Sequence, residues 1–279
     1  ENQMICFPSC KINLGLRITQ KRADGFHALE TVFYPITLTD VLEIIIEPET
    51  SAAPISFTSS GLTINGEPSN NLCYKAYFLL KNDYPSIPKI KMHLHKKIPM
   101  GAGLGGGSSD GAFTLVALNQ LLNLQLSDQA LLDYALQLGS DCPFFILNTP
   151  AFATGRGEIL TPTIVELGGY NIVIVNPGIA ISTKLAFSLI TPKIPDTNLA
   201  AIIQQPISTW KDELINDFEQ PIFNSFPELA KIKETLYQKG AVYASMTGTG
   251  STVYGIFPTS IMATLSFNFP SHYFITTAS

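Results

Sequence analysis

Alternating apolar and polar positions mark the first elements of the chain. Residues 12–19 put Ile12, Leu14, Leu16 and Ile18 at every second position, which predicts a strand. Lys21-Arg22-Ala23-Asp24-Gly25 then reads as a turn, with Asp-Gly the hairpin signal. Strands are expected at 30–36 and 41–47, followed by a short hairpin from 55–57 and 62–64 with Asn65-Gly66 after it. Helical spacing runs over 72–81, with Asn70 or Asn71 as the N-cap. Residues 89–95 alternate again as a strand. A glycine-dense loop follows, and then an apolar helix over about 109–122.

Ser127-Asp128 caps a second helix running to Leu138. Gly139-Ser140-Asp141-Cys142-Pro143 breaks it, and Pro143 predicts an extended exit at Cys142. In the second half, strands are expected at 172–175, 241–246, 253–257 and 273–276. Helices are expected at about 182–189, 199–203, 210–215, 228–238 and 260–267. That order suggests an α+β sandwich, with helices on one face of an antiparallel sheet. A boundary is expected near 157–162.

Composition narrows the function classes. The chain has 279 residues, enough for one large domain or two modest ones. At 46% hydrophobic and 14% charged it is not a disordered chain. A net charge of −5 argues against a general nucleic-acid binder. It leaves room for an anion held by local lysines and backbone amides. No apolar run reaches the ~18 residues of a membrane span. Met4 reads as the initiator, with Glu1–Gln3 a leading remnant, and no signal peptide is expected. Cys6, Cys10, Cys73 and Cys142 form no CxxC pair. We therefore expect four reduced thiols in a cytoplasmic protein, not a disulfide framework or a zinc site. Neither nucleic acid nor membrane is an expected partner.

The strongest chemical signal is the loop at 101–107, with five glycines in seven positions. Missing Cβ atoms let a backbone wrap an anion closely, and the following helix adds its N-terminal dipole. Ser108 and Ser109 add hydroxyls. A Walker A loop would need Gly-Lys-Ser/Thr, but Ser108 follows Gly107. Gly101-Ala102-Gly103-Leu104-Gly105-Gly106 matches GxGxxG in letters, yet it does not closely follow a strand as a dinucleotide fold requires. A protein-kinase loop would need His-Arg-Asp and Asp-Phe-Gly, which the chain lacks. A purely structural glycine turn is the remaining alternative.

Pro99-Met100-Gly101-Ala102-Gly103-Leu104-Gly105-Gly106-Gly107-Ser108-Ser109 resembles the phosphate motif of the GHMP kinases. Lys11-Ile12-Asn13-Leu14-Gly15-Leu16 and Thr247-Gly248-Thr249-Gly250-Ser251 resemble two further motifs of that superfamily, in order. Three more blocks resemble the members that act on 4-diphosphocytidyl-2-C-methyl-D-erythritol. They are Arg22-Ala23-Asp24-Gly25-Phe26-His27, Gly139-Ser140-Asp141-Cys142-Pro143-Phe144-Phe145 and Phe152-Ala153-Thr154-Gly155-Arg156-Gly157-Glu158.

The resemblance implies a GHMP kinase fold. An N-terminal nucleotide-binding domain like domain 2 of ribosomal protein S5 would span 1–158, and a C-terminal ferredoxin-like α/β sandwich 159–279. It implies transfer of a phosphoryl group from ATP, with Mg²⁺, to the substrate's 2-hydroxyl in the non-mevalonate isoprenoid pathway. Another GHMP kinase (for mevalonate, homoserine or a sugar) is the alternative, and a nucleotide-binding regulatory module without chemistry is a third possibility. A monomer or weak homodimer is expected.

The same resemblance implies roles for individual residues. Asp141 would be the base and Lys11 its catalytic partner; on other grounds they read as a turn aspartate and a snorkelling lysine. Pro99, Met100, Gly101, Ala102, Gly103, Leu104, Gly105, Gly106, Gly107, Ser108 and Ser109 would cradle ATP, with Asn71 and Lys96 beside the nucleotide. Asn71 reads equally well as an N-cap. Asn13, Phe26, His27, Thr183, Phe187, Gly248 and Thr249 would meet the substrate. Phe187 also reads as a core residue, and 247–251 as a plain hairpin. No protein ligand is assigned to Mg²⁺. Cys10, Phe26 and Ser140 stand where the family commonly has a small residue, Tyr and Ala.

Overall fold

The computed structural model describes residues 2–48 and 53–278. Its strands are β1 (Gln3–Cys6), β2 (Ser9–Lys21), β3 (His27–Thr39), β4 (Val41–Ile46), β5 (Ile55–Gly61), β6 (Ile90–Lys96), β7 (Ala151–Thr154), β8 (Ile159–Pro162), β9 (Tyr170–Asn176), β10 (Tyr243–Met246), β11 (Val253–Pro258) and β12 (Phe274–Ala278). Its α-helices are α1 (Leu72–Asp83), α2 (Gly106–Leu121), α3 (Asp128–Leu138), α4 (Cys142–Leu147), α5 (Thr183–Ser188), α6 (Leu199–Ile202), α7 (Trp210–Glu213), α8 (Glu219–Ser225) and α9 (Pro227–Gln238). No helix among the described residues is long and apolar enough to cross a membrane.

Packing groups the chain into two units that interleave along the sequence. One comprises the chain up to Cys10, Leu38–Met100 and Gly105–Thr149; the other comprises Lys11–Thr37, Gly101–Leu104 and the chain from Pro150. This grouping follows contacts and is distinct from the two consecutive segments, 1–158 and 159–279, expected above.

The first unit is a sheet of order β1-β4-β6-β5 on which α2 packs, with α1, α3 and α4 packed against α2. Leu42 and Ile44 of β4 and Ile90, Met92 and Leu94 of β6 are buried, while Lys91 between them is exposed. This period of two turns one sheet face toward the helices. Asn71 caps α1 by accepting from the Cys73 N–H at 2.8 Å. Ser127 caps α3 by accepting from Ala130 at 3.2 Å.

The second unit holds two sheets, β2-β3-β7-β8 and the antiparallel β10-β11-β9-β12. Leu16 and Ile18 of β2, Val173 and Val175 of β9, and Leu229, Ile232 and Leu236 of α9 share one buried cluster. Both faces of β2 are buried from Ser9 to Ile18. Its polar face, carrying Lys11, Asn13 and Arg17, is therefore inside the protein.

Several expectations are corrected. The segment 55–64 is not a hairpin: Ile55–Gly61 is one strand, paired in parallel with the distant β6. Its end is fixed by Leu62 N–H donating to Lys96 O at 2.8 Å. The chain does not leave Cys142 extended. Asp141 has φ −84° and ψ −17°, and Pro143 lies in the first turn of α4, where a helix needs no N–H from it. The expected helix at 260–267 is a 3₁₀ helix over Thr259–Thr264. Helix α2 begins within the glycines, earlier than predicted. Strands β1, β7 and β8 and helices α4 and α8 are additional to the predicted elements.

Candidate active site

Of the glycine loop, Gly101–Leu104 belong to the second unit and Gly105 onward to the first. Gly101, Gly103 and Gly105 have φ of 61°, 79° and 70°. Positive φ at these three glycines is the left-handed half of the αR-αL pattern by which successive N–H groups form an anion nest.

In the second unit, Gly103 is the point of closest approach. A Cβ there would stand 2.1 Å from the Thr247 carbonyl oxygen. The Gly103 carbonyl accepts from Lys11 Nζ at 3.0 Å and from Thr247 Oγ1 at 3.1 Å. Lys11 Nζ also donates to Asn13 Oδ1 at 2.6 Å and lies 5.1 Å from the Phe33 ring centre. Asn13 Nδ2 donates to Thr31 Oγ1 at 3.0 Å, and Asn13 N–H donates to Thr247 Oγ1 at 3.0 Å. Lys11 and Asn13 thus share one face of β2, as their spacing requires. Lys11 is only 3% exposed, which removes the snorkelling alternative.

Residues 247–251 do form a hairpin connection, with Thr247 N–H bonded to Thr252 O at 3.0 Å and Gly250 N–H to Thr247 O at 3.0 Å. This turn also seats Gly103. Thr247 is the hub, and the sequence reading named its neighbours Gly248 and Thr249 instead. Its place in the Thr247-Gly248-Thr249-Gly250-Ser251 motif is the sequence signal for it, while its burial directly after a fully buried strand is visible only in the structure.

Also in the second unit, His27 stacks on Phe187. Phe26 is 54% exposed, with the Arg156 guanidinium 5.0 Å from its ring centre. Thr183 opens α5 one helical turn before Phe187, so both lie on the same helix face.

In the first unit, Gly106 starts α2 in close contact with β6. A Cβ on Gly106 would meet Ile98 Cγ2 at 2.7 Å and Lys96 Nζ at 3.1 Å. Lys96 is 1% exposed. Its ammonium pairs with Asp40 and, at 2.6 Å, with Asp110. Burial pulls the Lys96 pKa down, but the charges of Asp110 and Asp40 outweigh it and hold the ammonium above its ordinary value. Asp40 also accepts from the Ile98 N–H at 2.9 Å. This carboxylate–ammonium group braces the start of α2 directly beneath the glycines. The sequence reading missed Asp40 and Asp110.

Ser109 Oγ and Asp110 Oδ1 are buried with no hydrogen-bond partner among the described residues. Asn71 is engaged as the α1 cap. Asp141 stands at the N-cap position of α4, where its side chain makes no capping bond. The Cys142 thiol beside it is pushed up to about 12, chiefly by burial, so it is no nucleophile.

Residues 71–149 match the family model of the GHMP kinases N terminal domain, and residues 199–263 that of GHMP kinases C terminal. A curated relative from Bacteroides fragilis named 4-diphosphocytidyl-2-C-methyl-D-erythritol kinase is 52% identical over 254 residues, covering 91% of this chain and 92% of that protein. This chain belongs to the 4-diphosphocytidyl-2-C-methyl-D-erythritol kinase family of GHMP kinases. A relative of the same name from Azobacteroides pseudotrichonymphae is 50% identical, covering 98% of this chain and 100% of that protein. The crystal structure of a 4-(cytidine 5'-diphospho)-2C-methyl-D-erythritol kinase superposes with a TM-score of 0.80 at 29% identity, over 99% of both chains. The chain is therefore a small-molecule kinase with the expected α+β GHMP fold, and ATP use comes with the family.

Proposed function

We propose that the protein transfers the γ-phosphoryl group of ATP to the 2-hydroxyl of 4-diphosphocytidyl-2-C-methyl-D-erythritol, a step of isoprenoid synthesis. The observation that carries the reading is the bond network joining Lys11, Asn13 and Thr247 to the Gly103 carbonyl of the glycine loop. Within a family of small-molecule kinases, this places a buried cation against the backbone that would cradle phosphates. Phosphoryl transfer depends mostly on such positioning and on charge stabilisation.

In the proposed step, the hydroxyl oxygen bonds to the γ-phosphorus while the bond from that phosphorus to the β,γ-bridging oxygen breaks. The hydroxyl proton passes to Asp141, and ADP leaves. Lys11 stabilises negative charge on the carboxylate and the attacking oxygen. The amides of residues 101–109 hold the phosphates, with Lys96 fixing the start of α2 and Asn71 and the Pro99-Met100 segment flanking the nucleotide. Asn13, Gly248 and Thr249 orient the erythritol portion. His27, Phe26, Thr183 and Phe187 hold the cytosine.

Mg²⁺ is part of the proposal and would neutralise phosphate charge. Among the described residues no group of three His, Cys, Asp or Glu forms a metal cage. In this proposal the ion is held chiefly by the ATP phosphates and water, since Mg²⁺ tends to keep several waters. A cytoplasmic monomer or weak homodimer completes the reading.

The test is a coupled ADP-release assay with the cytidyl substrate, mevalonate, homoserine and galactose. We expect Mg²⁺-dependent ADP release with the cytidyl compound alone. Turnover of another alcohol, with none of the cytidyl compound, would overturn the assignment.

A further inference from the structure

The segment 215–219 holds two functional pieces of the second unit at once. Leu16 N–H donates to Ile215 O at 2.9 Å, and Asp217 N–H donates to Leu16 O at 2.8 Å. Ile18 N–H donates to Asp217 Oδ2 at 2.7 Å. These bonds clasp β2, the strand that carries Lys11 and Asn13. On its other side, Asn216 Nδ2 donates to Met246 O at 2.7 Å and to Gly248 O at 3.0 Å. Those carbonyls flank Thr247, whose own carbonyl oxygen closes on Gly103. Asn216 Oδ1 accepts from Phe218 N–H at 3.0 Å. The amide is 1% exposed.

We propose that Asn216 is a positioning residue for nucleotide binding, acting through the 246–248 turn on the glycine loop. Its side chain supplies two donors to carbonyls on either side of Thr247, which sets where Thr247 Oγ1 and O meet Gly103. A carboxylate at 216 would keep the shape and the acceptor for Phe218, but would turn an acceptor toward two carbonyls. Glu219 adds a second brace by accepting from Met246 N–H at 2.8 Å and from Ser245 Oγ at 3.0 Å, with Lys233 at 2.6 Å neutralising it. A cavity of about 360 Å³ bordered by Asn216, Gln220, Phe223 and Lys233 opens beside this network. The two donors to Met246 O and Gly248 O are what an amide supplies at this position and a carboxylate does not.

This inference rests on the glycine loop being the ATP cradle, so wild-type affinity for ATP is measured first by calorimetry. A wild type that binds no ATP removes the kinase reading itself. With ATP bound by the wild type, Asn216→Asp is expected to raise the ATP KM tenfold or more at pH 8, with kcat within about threefold. The ATP KM should fall again only as the pH is lowered toward the ordinary carboxyl range, where a protonated carboxyl regains a donor. A merely structural role would lower the fraction of active enzyme and leave KM unchanged. An ATP KM within twofold of wild type at every pH in folded Asn216→Asp overturns the proposal. Should that variant not fold, Asn216→Ser is assayed instead, and an unchanged ATP KM there overturns it equally.

Discussion

The imidazole of His27 lies on the ring of Phe187, with centroids 4.9 Å apart and planes 23° from parallel. Phe187 in turn meets Phe218 edge-on at 5.0 Å, and Phe218 is 1% exposed. Phe187 is therefore held between the core residue Phe218 and the His27 ring, and in the proposed function the cytosine stacks with this aromatic pair. Stacking a base on an aromatic ring contributes about 1–3 kcal/mol. Phe187→Ala is expected to raise the KM for the cytidyl substrate about tenfold or more and to leave the ATP KM within about threefold. Steady-state kinetics with each substrate varied in turn checks this. Equal rises in both constants would show that Phe187 is not a base platform.

Asp141 stands at the start of a helix that begins Cys142-Pro143, a geometry that fixes its backbone without using its side chain as a cap. Asp141→Asn preserves shape and removes only basicity. General-base catalysis contributes about 10²–10⁴ in rate, so kcat should fall by at least two orders of magnitude. The melting temperature and the calorimetric affinity for ATP should stay near wild type. A kcat within tenfold would remove Asp141 from the role of base.

Two glycines of the loop should respond differently. Gly101 has φ 61° and nothing within 4 Å of an added Cβ, whereas at Gly103 the Cβ would lie 2.1 Å from a backbone oxygen. Left-handed backbone costs a non-glycine residue about 1–2 kcal/mol. Gly101→Ala should thus fold and lose ATP affinity, since its new methyl projects into open space over the loop. Gly103→Ala must push the 247 turn away, and it should melt markedly lower. Thermal melts with calorimetry on both variants test the contrast, and the reverse ranking in stability would contradict this packing.

Local rules made the strands and helices with strong patterns legible. The alternation at 12–18 identified β2, and the Asn71 and Ser127 caps were readable because a cap is a contact between near neighbours. Errors arose where partners were distant. β5 looked like half of a hairpin because its true partner, β6, lies about 30 residues on. Helix α2 begins in glycines that propensity disfavours, because Gly106 must pass Ile98 and Lys96 closely. Pro143 read as a breaker, since a helix starting there resembles a helix ending. Lys11, Asn13 and the glycine loop were visible as motifs. Thr247 is visible as part of its motif, but the supports Thr31, Asn216, Asp40 and Asp110 are not, because a lone polar residue in a strand or loop gives no sign that it is buried.

The Asp40–Lys96–Asp110 group carries two carboxylates against one ammonium, all nearly unexposed. A buried excess of one negative charge is relieved by a proton. Burial, opposed by Lys96 and reinforced by Asp40, raises the Asp110 pKa to about 7. In the unfolded chain the same carboxyl titrates near 3.9. Between those two values the folded protein binds more protons than the unfolded one. The Asp110 contribution therefore lowers stability as pH rises through that window, and it levels off above about pH 8. Asp110→Asn supplies the neutral form permanently while keeping the shape at a site whose Oδ1 has no partner among the described residues. The melting temperature of Asp110→Asn minus that of wild type should increase from pH 4.5 to pH 7.5. Using the difference cancels the other carboxylates, whose titration is common to both proteins. Calorimetric melts across this range that stay parallel would show that Asp110 does not take up a proton near neutrality.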